Sequence, residues 1–485
     1  MKLNKMLRYV QSGISIVLVL TLLGGCSWQQ KASGKAELEK MEAEKVNSVS
    51  FDIIGGKNVM PIGGYYGPYV STYNEDGQTA PDYFTDEIWQ AIADSGINWV
   101  SYSQLNYKDY PELVRKSLDY GEKYGLAVNV YDSTVLDMAQ ESEISVEELT
   151  TRLSEYMNHP AFGGMYIIDE PCTSYFHPAG EGMESRYLDY YKKLAPTLNQ
   201  KLGMLSYTNA FPSGIEGNEY EYYEKYIREF YDTLQPKYLM FDRYPFDASQ
   251  KGYINYYFHD LAVVRKVAEE KEIPFMTFIQ AGSQWNDARE YFDSVTPYYP
   301  NEAQFDWNIN TSLAFGAKGI NLFTLIQPDY FAYAESKRFD FQRNGLIGAW
   351  GNKNQWYYYL QNISKQIRAI DEVLMNSTSK GVLAYGKTAE KELSLAKENG
   401  AVIEGKTFRE LKALEGEALV GCFNYQGKTA LYVVNYSMEA GQKLNLTFQD
   451  TYDFTKIQNA ETEKLYGDGL TLDMAPGEGV LLVFE

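Results

Sequence analysis

Two carboxyl groups stand side by side at the end of an apolar run near the middle of the chain. The run at residues 164–168 is followed at once by Asp169, Glu170 and Pro171, and a further carboxyl group, Asp242, follows a second apolar run. Carboxyl groups held near one another can act as general acid and as general base or nucleophile, the chemistry that cleaves glycosidic bonds. We therefore predict Glu170, Asp242 and Asp169 as catalytic residues.

Aromatic and polar side chains follow the other apolar runs in the same way. Aromatic rings offer flat faces to the C–H edges of a sugar, and amides and carboxylates form hydrogen bonds with its hydroxyl groups. The predicted substrate-binding residues are Tyr65, Tyr66, Asp132, Tyr207, Asn209, Tyr244, Gln280, Trp285 and Tyr330. Because the chain holds 43 tyrosines, any single one of them can equally serve packing.

Short apolar runs alternate with longer amphipathic segments from about residue 59 onward. The predicted strands are residues 59–63, 97–102, 127–131, 164–168, 203–207, 238–241, 274–279 and 319–325. Apolar residues lie three or four apart in the segments between them, a pattern typical of helices. A series of eight β/α units requires parallel pairing and predicts an α/β fold, a (β/α)8 TIM barrel, over residues 51–376. The predicted site residues would then share the rim formed by the carboxyl ends of the strands.

The sequence changes character after a last long helical segment that ends near residue 374. Short alternating strands such as residues 430–437 and 444–448 follow, with turn residues between them. This pattern predicts a small all-β sandwich domain over residues 377–485. No cluster of residues in it suggests chemistry, so we expect it to complete the fold.

The amino terminus indicates export. Lys2, Lys5 and Arg8 precede an apolar run that ends in Leu-Gly-Gly-Cys, a pattern similar to the bacterial lipobox. We predict a lipoprotein signal peptide at residues 1–25, lipidation of Cys26, and a polar tether at residues 26–50. The mature protein is then expected on the cell surface or in the periplasm, anchored to a bacterial membrane.

Composition excludes several classes of function. A formal net charge of −21 disfavours nucleic acid as a partner. The three histidines, His159, His177 and His259, show no metal-ligand spacing, so we expect no metal. The sequence contains no phosphate-binding or dinucleotide-binding glycine motif, and we expect no cofactor. A carbohydrate is the expected substrate.

The segment from His159 to Pro171, together with Asp242 to Pro245, resembles the bacterial TIM-barrel glycoside hydrolase superfamily, which includes relatives of the family 42 galactosidases. The resemblance implies that Glu170, by its position at the end of the fourth strand, is the general acid/base. Such enzymes usually place Asn before this glutamate and a nucleophilic glutamate at the end of the seventh strand. This chain has Asp169 and Gln280 at those positions.

Three readings of the site remain open from the sequence. In the first, Glu170 is the acid and Asp242 the nucleophile or base. In the second, Asp169 and Glu170 act as a pair, as in the N-acetylhexosaminidases, which requires a bend in the backbone because neighbours in a strand point to opposite faces. In the third, the barrel binds glycans at the cell surface without cleaving them.

Overall fold

The computed structural model describes residues 59–72, 74–75, 77–102, 104–141, 145–171, 191–203, 205–214, 220–246, 253–282, 298–328 and 345–485. The predicted signal peptide and tether, with Cys26, lie outside the described residues, as do Trp285 and Tyr330. No helix in the described part of the chain is both long enough and apolar enough to cross a membrane.

Eight parallel strands form one sheet that curls into a barrel. The strands are β1 (Ile62–Tyr65), β2 (Trp99–Ser101), β3 (Ala127–Val130), β4 (Phe162–Asp169), β5 (Tyr207–Asn209), β6 (Leu239–Phe241), β7 (Phe275–Gln280) and β8 (Ile320–Phe323). They pair in the order β5-β4-β3-β2-β1-β8-β7-β6. The Ala210 amide donates to the Met240 carbonyl at 2.8 Å, so a bridge also joins the chain after β5 to β6. The predicted (β/α)8 barrel is confirmed.

Helices alternate with these strands and cover the barrel. They are α1 (Asp86–Asp94), α2 (Pro111–Tyr124), α3 (Ser133–Glu141), α4 (Val146–Leu153), α5 (Tyr223–Leu234), α6 (Tyr253–Glu270), α7 (Glu302–Ala314) and α8 (Gln355–Met375). Residues 191–196 are helical and lead into a π-helical turn, Thr197–Lys201, and Tyr220–Tyr222 form a 3₁₀ turn. Local sequence sets several of the ends: Thr85, Ser145 and Asn301 cap helix amino termini with their side chains.

The fifth strand begins later than the sequence predicted. We expected residues 203–207, whereas β5 is Tyr207–Asn209. Gly203 has a φ of 71°, a left-handed conformation that follows the π-helical turn and is incompatible with an extended strand. Tyr207 and Asn209 therefore lie within the strand and face the site through its regular geometry.

The carboxyl-terminal part of the chain is an all-β domain, as predicted, built as an antiparallel sheet. Its strands are β9 (Ser377–Tyr385), β10 (Leu411–Glu415), β11 (Ala418–Tyr425), β12 (Lys428–Asn435), β13 (Gln442–Gln458), β14 (Glu461–Met474) and β15 (Gly479–Phe484). The short helices α9 (Lys387–Glu392) and α10 (Ser394–Glu398) follow β9. The first half of β13 pairs with β10 and its second half with β15, so the one sheet folds over its own apolar core.

Strand β12 packs one face on that core and the other on the barrel. Leu431 and Val433 belong to the domain's own core, whereas Tyr432 and Val434 belong to the barrel core. The Tyr432 hydroxyl donates to Asn310 Oδ1 on α7 at 2.7 Å. The all-β domain thus packs on the side of the barrel that carries α7.

Candidate active site

A bend at the end of β4 turns two adjacent carboxyl groups toward one site. Glu170 has a φ of 46°, which is rare for a residue other than glycine and costs about 1 kcal/mol or more. Its amide donates to the Asn209 carbonyl at 3.0 Å, which fixes this backbone against β5. In a regular strand Asp169 and Glu170 would point to opposite faces. The left-handed turn removes that alternation, because Asp169 bonds to Asn209 and Glu170 bonds to Asp242 in the same site.

A glycine in β4 allows the close approach of β4 and β5 on which this arrangement depends. Gly164 has a φ of 120°, and a Cβ atom there would lie 1.8 Å from the Leu205 carbonyl oxygen. Only glycine tolerates both the backbone conformation and the contact. The five residues that follow carry the strand to Asp169 beside Asn209, its partner in the sheet.

Asp169 is held by three neutral donors from two strands. The Tyr65 hydroxyl donates to Asp169 Oδ2 at 2.8 Å, and the Tyr207 hydroxyl donates to Oδ1 at 3.2 Å. Asn209 Nδ2 also donates to Oδ1, at 3.1 Å. Burial raises the pKa of Asp169, and the hydrogen bonds from Tyr65, Asn209 and Tyr207 oppose that rise by stabilising the anion. The carboxyl group is thus fixed in orientation from β1 and β5.

Asp242 lies next to the same amide, directly after β6. Asn209 Nδ2 donates to Asp242 Oδ1 at 3.0 Å, so one amide bridges Asp169 and Asp242. Burial, with the nearby charge of Asp169, raises the pKa of Asp242 to about 6, and hydrogen bonds with Glu170 and Asn209 oppose the rise. Glu170 and Asp242 are thus hydrogen-bonded to each other at the site. Glu170 is the exposed member of the three, whereas Asp242 is only 4% exposed.

Aromatic rings surround the carboxyl groups. Tyr65 stacks on Tyr207 with ring centroids 5.5 Å apart. The Phe323 ring lies 5.8 Å from Tyr66 and 5.5 Å from Tyr244, and all three rings are partly exposed. Phe323 thus joins Tyr66 and Tyr244 in one apolar surface. The Tyr244 end of this surface lies near the carboxyl groups, since the pKa of the Tyr244 phenol is raised by burial and then by the charges of Asp242, Glu170 and Asp169. Such a surface suits the apolar face of a sugar ring.

Phe323 was missed by the sequence analysis. The predicted eighth strand continued to residue 325, which placed Phe323 inside it, whereas β8 ends at Phe323 itself. The signal that could have found it is its place four residues after Gly319, where a short barrel strand is expected to end. Tyr166 was missed for a similar reason, since it lies inside β4 and stacks on Tyr207 at 4.9 Å.

Gln280 is the last residue of β7, and its side-chain amide is hydrogen-bonded to backbone atoms. Its Oε1 accepts from the Phe246 amide at 3.2 Å, and its Nε2 donates to the Phe246 carbonyl at 2.9 Å and to the Gly282 carbonyl at 3.3 Å. The residue is 1% exposed. The structure therefore places this predicted binding residue as a clamp on the loop that carries Asp242 and Tyr244.

Asp132, shortly after β3, is held in an ion pair. Arg152 donates to it through Nε at 2.9 Å and Nη2 at 3.2 Å, and the Tyr156 hydroxyl donates at 3.2 Å. The Thr134 amide at the start of α3 also donates to Oδ1, at 3.0 Å. The Asp132 carboxylate is hydrogen-bonded to α3 and α4. This predicted binding residue therefore does not join the hydrogen-bonded group of Asp169, Glu170 and Asp242.

A buried ion network under the β6 loop was also missed by the sequence analysis. Arg243 donates through Nη1 to the Ser213 carbonyl at 2.9 Å, and its Nε lies 4.0 Å from Asp260 Oδ2. Asp260 accepts from the Ser213 amide at 3.1 Å. This network joins the loops after β5 and β6 to α6, and so holds the backbone directly after Asp242.

Comparison with known proteins identifies the fold. No protein-family model matches the chain, and no curated protein matches it. A beta-galactosidase from Bacillus circulans sp. alkalophilus is similar in structure, with 9% identity, a TM-score of 0.54, and coverage of 89% of this chain and 100% of that chain. A catalytic mutant of a GH42 beta-galactosidase from G. stearothermophilus is similar at 8% identity and a TM-score of 0.53, covering 89% of this chain and 98% of that chain. The chain has the barrel fold of these glycoside hydrolases.

Proposed function

We propose that the protein is a glycoside hydrolase in which Glu170 is the general acid, acting outside the cytoplasm from a lipid anchor at Cys26. The single observation that carries the proposal is the meeting of Asp169, Glu170 and Asp242 at the carboxyl ends of β4 and β6. Active sites of barrel enzymes lie at this rim, and hydrolysis of a glycosidic bond relies on carboxyl groups.

The three carboxyl groups differ in what they can do. A general acid must reach the leaving oxygen, and Glu170 is the exposed member of the group and is hydrogen-bonded to Asp242. Asp169 is bound by two phenols and an amide, which leaves it as an orienting group. Asp242 is buried and hydrogen-bonded to Glu170, so in this proposal it holds the acid in place.

The apolar surface of Tyr66, Tyr244 and Phe323 supports a carbohydrate as substrate. Rings of this kind contact the C–H edges of a sugar while nearby polar groups bind its hydroxyls. All three residues are partly exposed, and Phe323 contacts both tyrosine rings.

A glycan-binding protein without hydrolytic activity is the second candidate. The observation that favours it is the seventh strand, where Gln280 stands and its amide is bonded to the Phe246 and Gly282 backbone. Measurable affinity for glycans with no turnover of any glycoside would support this alternative.

The experiment is a comparison of Glu170→Gln with the wild-type protein on a panel of aryl glycosides. We expect the variant to lose at least about a hundredfold in kcat/KM on substrates with poor leaving groups, because the amide has no proton to donate. The loss should be smaller for dinitrophenyl glycosides, whose leaving group needs no proton. Glu147→Gln, at an exposed position in the first turn of α4, serves as the control and should retain full activity. Equal turnover by Glu170→Gln and the wild type would overturn the assignment.

A further inference from the structure

Asn209 is bonded to all three carboxyl residues of the candidate site. Its Nδ2 donates to Asp169 Oδ1 at 3.1 Å and to Asp242 Oδ1 at 3.0 Å. Its backbone carbonyl accepts from the Glu170 amide at 3.0 Å. These contacts follow from its place in β5, which pairs with β4, while the next residue, Ala210, is bridged to β6.

The side chain of Asn209 forms no other hydrogen bond within the part of the chain that the structure describes. A primary amide has two N–H groups, and Asp169 and Asp242 each accept one of them. Its Oδ1 is buried and accepts no hydrogen bond from any described residue, an arrangement that costs free energy. The residue is only 2% exposed, so both N–H groups are placed for the aspartates rather than for a sugar hydroxyl.

Donation to both aspartates favours their ionised forms, because an N–H group stabilises a carboxylate more than a carboxylic acid. The bonds from Asn209 oppose the rise that burial produces in the pKa of Asp169 and in the pKa of Asp242. Glu170 is hydrogen-bonded to Asp242, and both side-chain N–H groups of Asn209 go to the aspartates. The amide therefore disfavours a proton on either aspartate and leaves Glu170 free to hold one.

Five phenols interact electrostatically with the two aspartates, and burial raises the pKa of each phenol well above 10.0. They belong to Tyr65, Tyr166, Tyr207, Tyr223 and Tyr244. The guanidinium of Arg243, the residue after Asp242, lies 4.0 Å from Asp260. Between about pH 4 and pH 8, proton exchange in this group of described residues therefore belongs to Asp169, Glu170 and Asp242.

We infer that Asn209 is a positioning residue whose amide keeps Asp169 and Asp242 ionised, so that the proton of the group stays on Glu170; this inference rests on the proposed role of Glu170 as the acid. The negative charge of Asp242 beside Glu170 then favours the protonated form of Glu170. Glu170 gives that proton to the leaving oxygen, while the amide continues to hold both aspartates in place.

The first test follows the titration of the aspartate carboxyl groups by 13C NMR, with Asp169→Asn and Asp242→Asn used to assign the signals. In Asn209→Ala both titrations should move at least about one pH unit higher, because each carboxylate loses a donor. Asn209→Asp, which keeps the shape of the side chain and replaces its donor by an acceptor, should move them at least as far and guards against loss of the fold. Thr208→Val is the matched control in the same strand, since Thr208 is fully buried and its hydroxyl bonds to no described residue. Titrations that stay at the wild-type pH in both Asn209 variants would overturn the inference.

The second test measures the pH dependence of turnover on aryl glycosides. Asn209→Ala should lose at least about tenfold in kcat with KM changed less than about twofold, because the amide acts on the acid and not on the sugar. The acid limb of its kcat profile should move to higher pH together with the aspartate titrations, whereas Thr208→Val should keep the wild-type profile. Titrations that move without any change in kcat or in the pH profile would overturn the inference and leave the glycosidase proposal standing. Absence of turnover by the wild type on every glycoside would overturn the glycosidase proposal, while the titrations still decide whether Asn209 keeps both aspartates ionised.

Discussion

Asp132 shortly follows β3, and Asp242 directly follows β6. Both residues are buried, yet their neighbours differ in charge. Asp132 is fully buried and receives two hydrogen bonds from Arg152, a cation held by α4. Asp242 receives bonds from the amide of Asn209 and from Glu170, and Asp169 places a like charge near it. A buried carboxylate with a cation is a structural element, whereas one among neutral and acidic partners has a raised pKa, about 6 for Asp242, and can take part in chemistry.

Removal of the Asp132 carboxylate should reduce the stability of the protein more than the other substitutions considered. Asp132→Ala removes the buried partner of Arg152, whose side chain is only 22% exposed and which keeps Glu155 at 3.0 Å. It also removes the acceptor of the Tyr156 hydroxyl and of the Thr134 amide, and we expect the free energy of unfolding to fall by about 3–5 kcal/mol. The matched control is Asp137→Ala, which breaks an ion pair with Lys108 whose side chains are 52% and 54% exposed. That change should cost no more than about 1 kcal/mol in urea unfolding. Equal losses in the two variants would contradict the structural role of Asp132.

Asp242→Asn should stabilise the protein, whereas Asp132→Ala destabilises it. The pKa of Asp242 is raised from 3.8 to about 6 in the folded protein, so the folded state holds this proton at a pH where the unfolded chain has lost it. The stability linked to this proton is present below about pH 4 and is lost as the pH rises through about 6. We therefore expect Asp242→Asn to raise the free energy of unfolding at pH 8 by up to about 3 kcal/mol. Urea unfolding at pH 4 and pH 8 measures the difference, and a variant that is less stable than the wild type at pH 8 would contradict this interpretation.

Tyr65→Phe should change the free energy of unfolding least, and the size of this change should depend on pH. The hydrogen bond from Tyr65 stabilises ionised Asp169, so its loss should raise the pKa of Asp169 and cost about 0.5–1.5 kcal/mol of stability at pH 8. At pH 4 the cost should be smaller, since the raised pKa of Asp169 increases the protonated fraction of this carboxyl group at low pH. Tyr69→Phe is the control, because it loses a hydrogen bond of 2.7 Å to the neutral Gln327 carbonyl and should cost the same at both pH values. A pH-independent loss for Tyr65→Phe would show that Asp169 is not the ionised partner.

The sequence predicted the part of the site that follows from parallel pairing. Because the carboxyl ends of barrel strands meet at one rim, Asp169, Asn209 and Asp242 could be expected to lie close together without any knowledge of their contacts. It could not predict which acidic residues are neutralised. Arg152 is 20 residues from Asp132 in sequence and reaches it only through the packing of α4, and Gln280 is bound to a loop 34 residues away.

By itself the sequence determined the eight β/α units, the all-β domain that follows them and the position of Glu170 at the end of the fourth strand, because hydrophobic periodicity and strand-end positions are local properties. The tertiary structure alone decided the left-handed turn that brings Asp169 and Glu170 to one site, and the hydrogen bond between Glu170 and Asp242. It also placed the phenols of Tyr65 and Tyr207 on Asp169, across 104 and 38 residues of chain. These contacts depend on burial and on partners distant in sequence, and burial and partners are what set the charge of a carboxyl group.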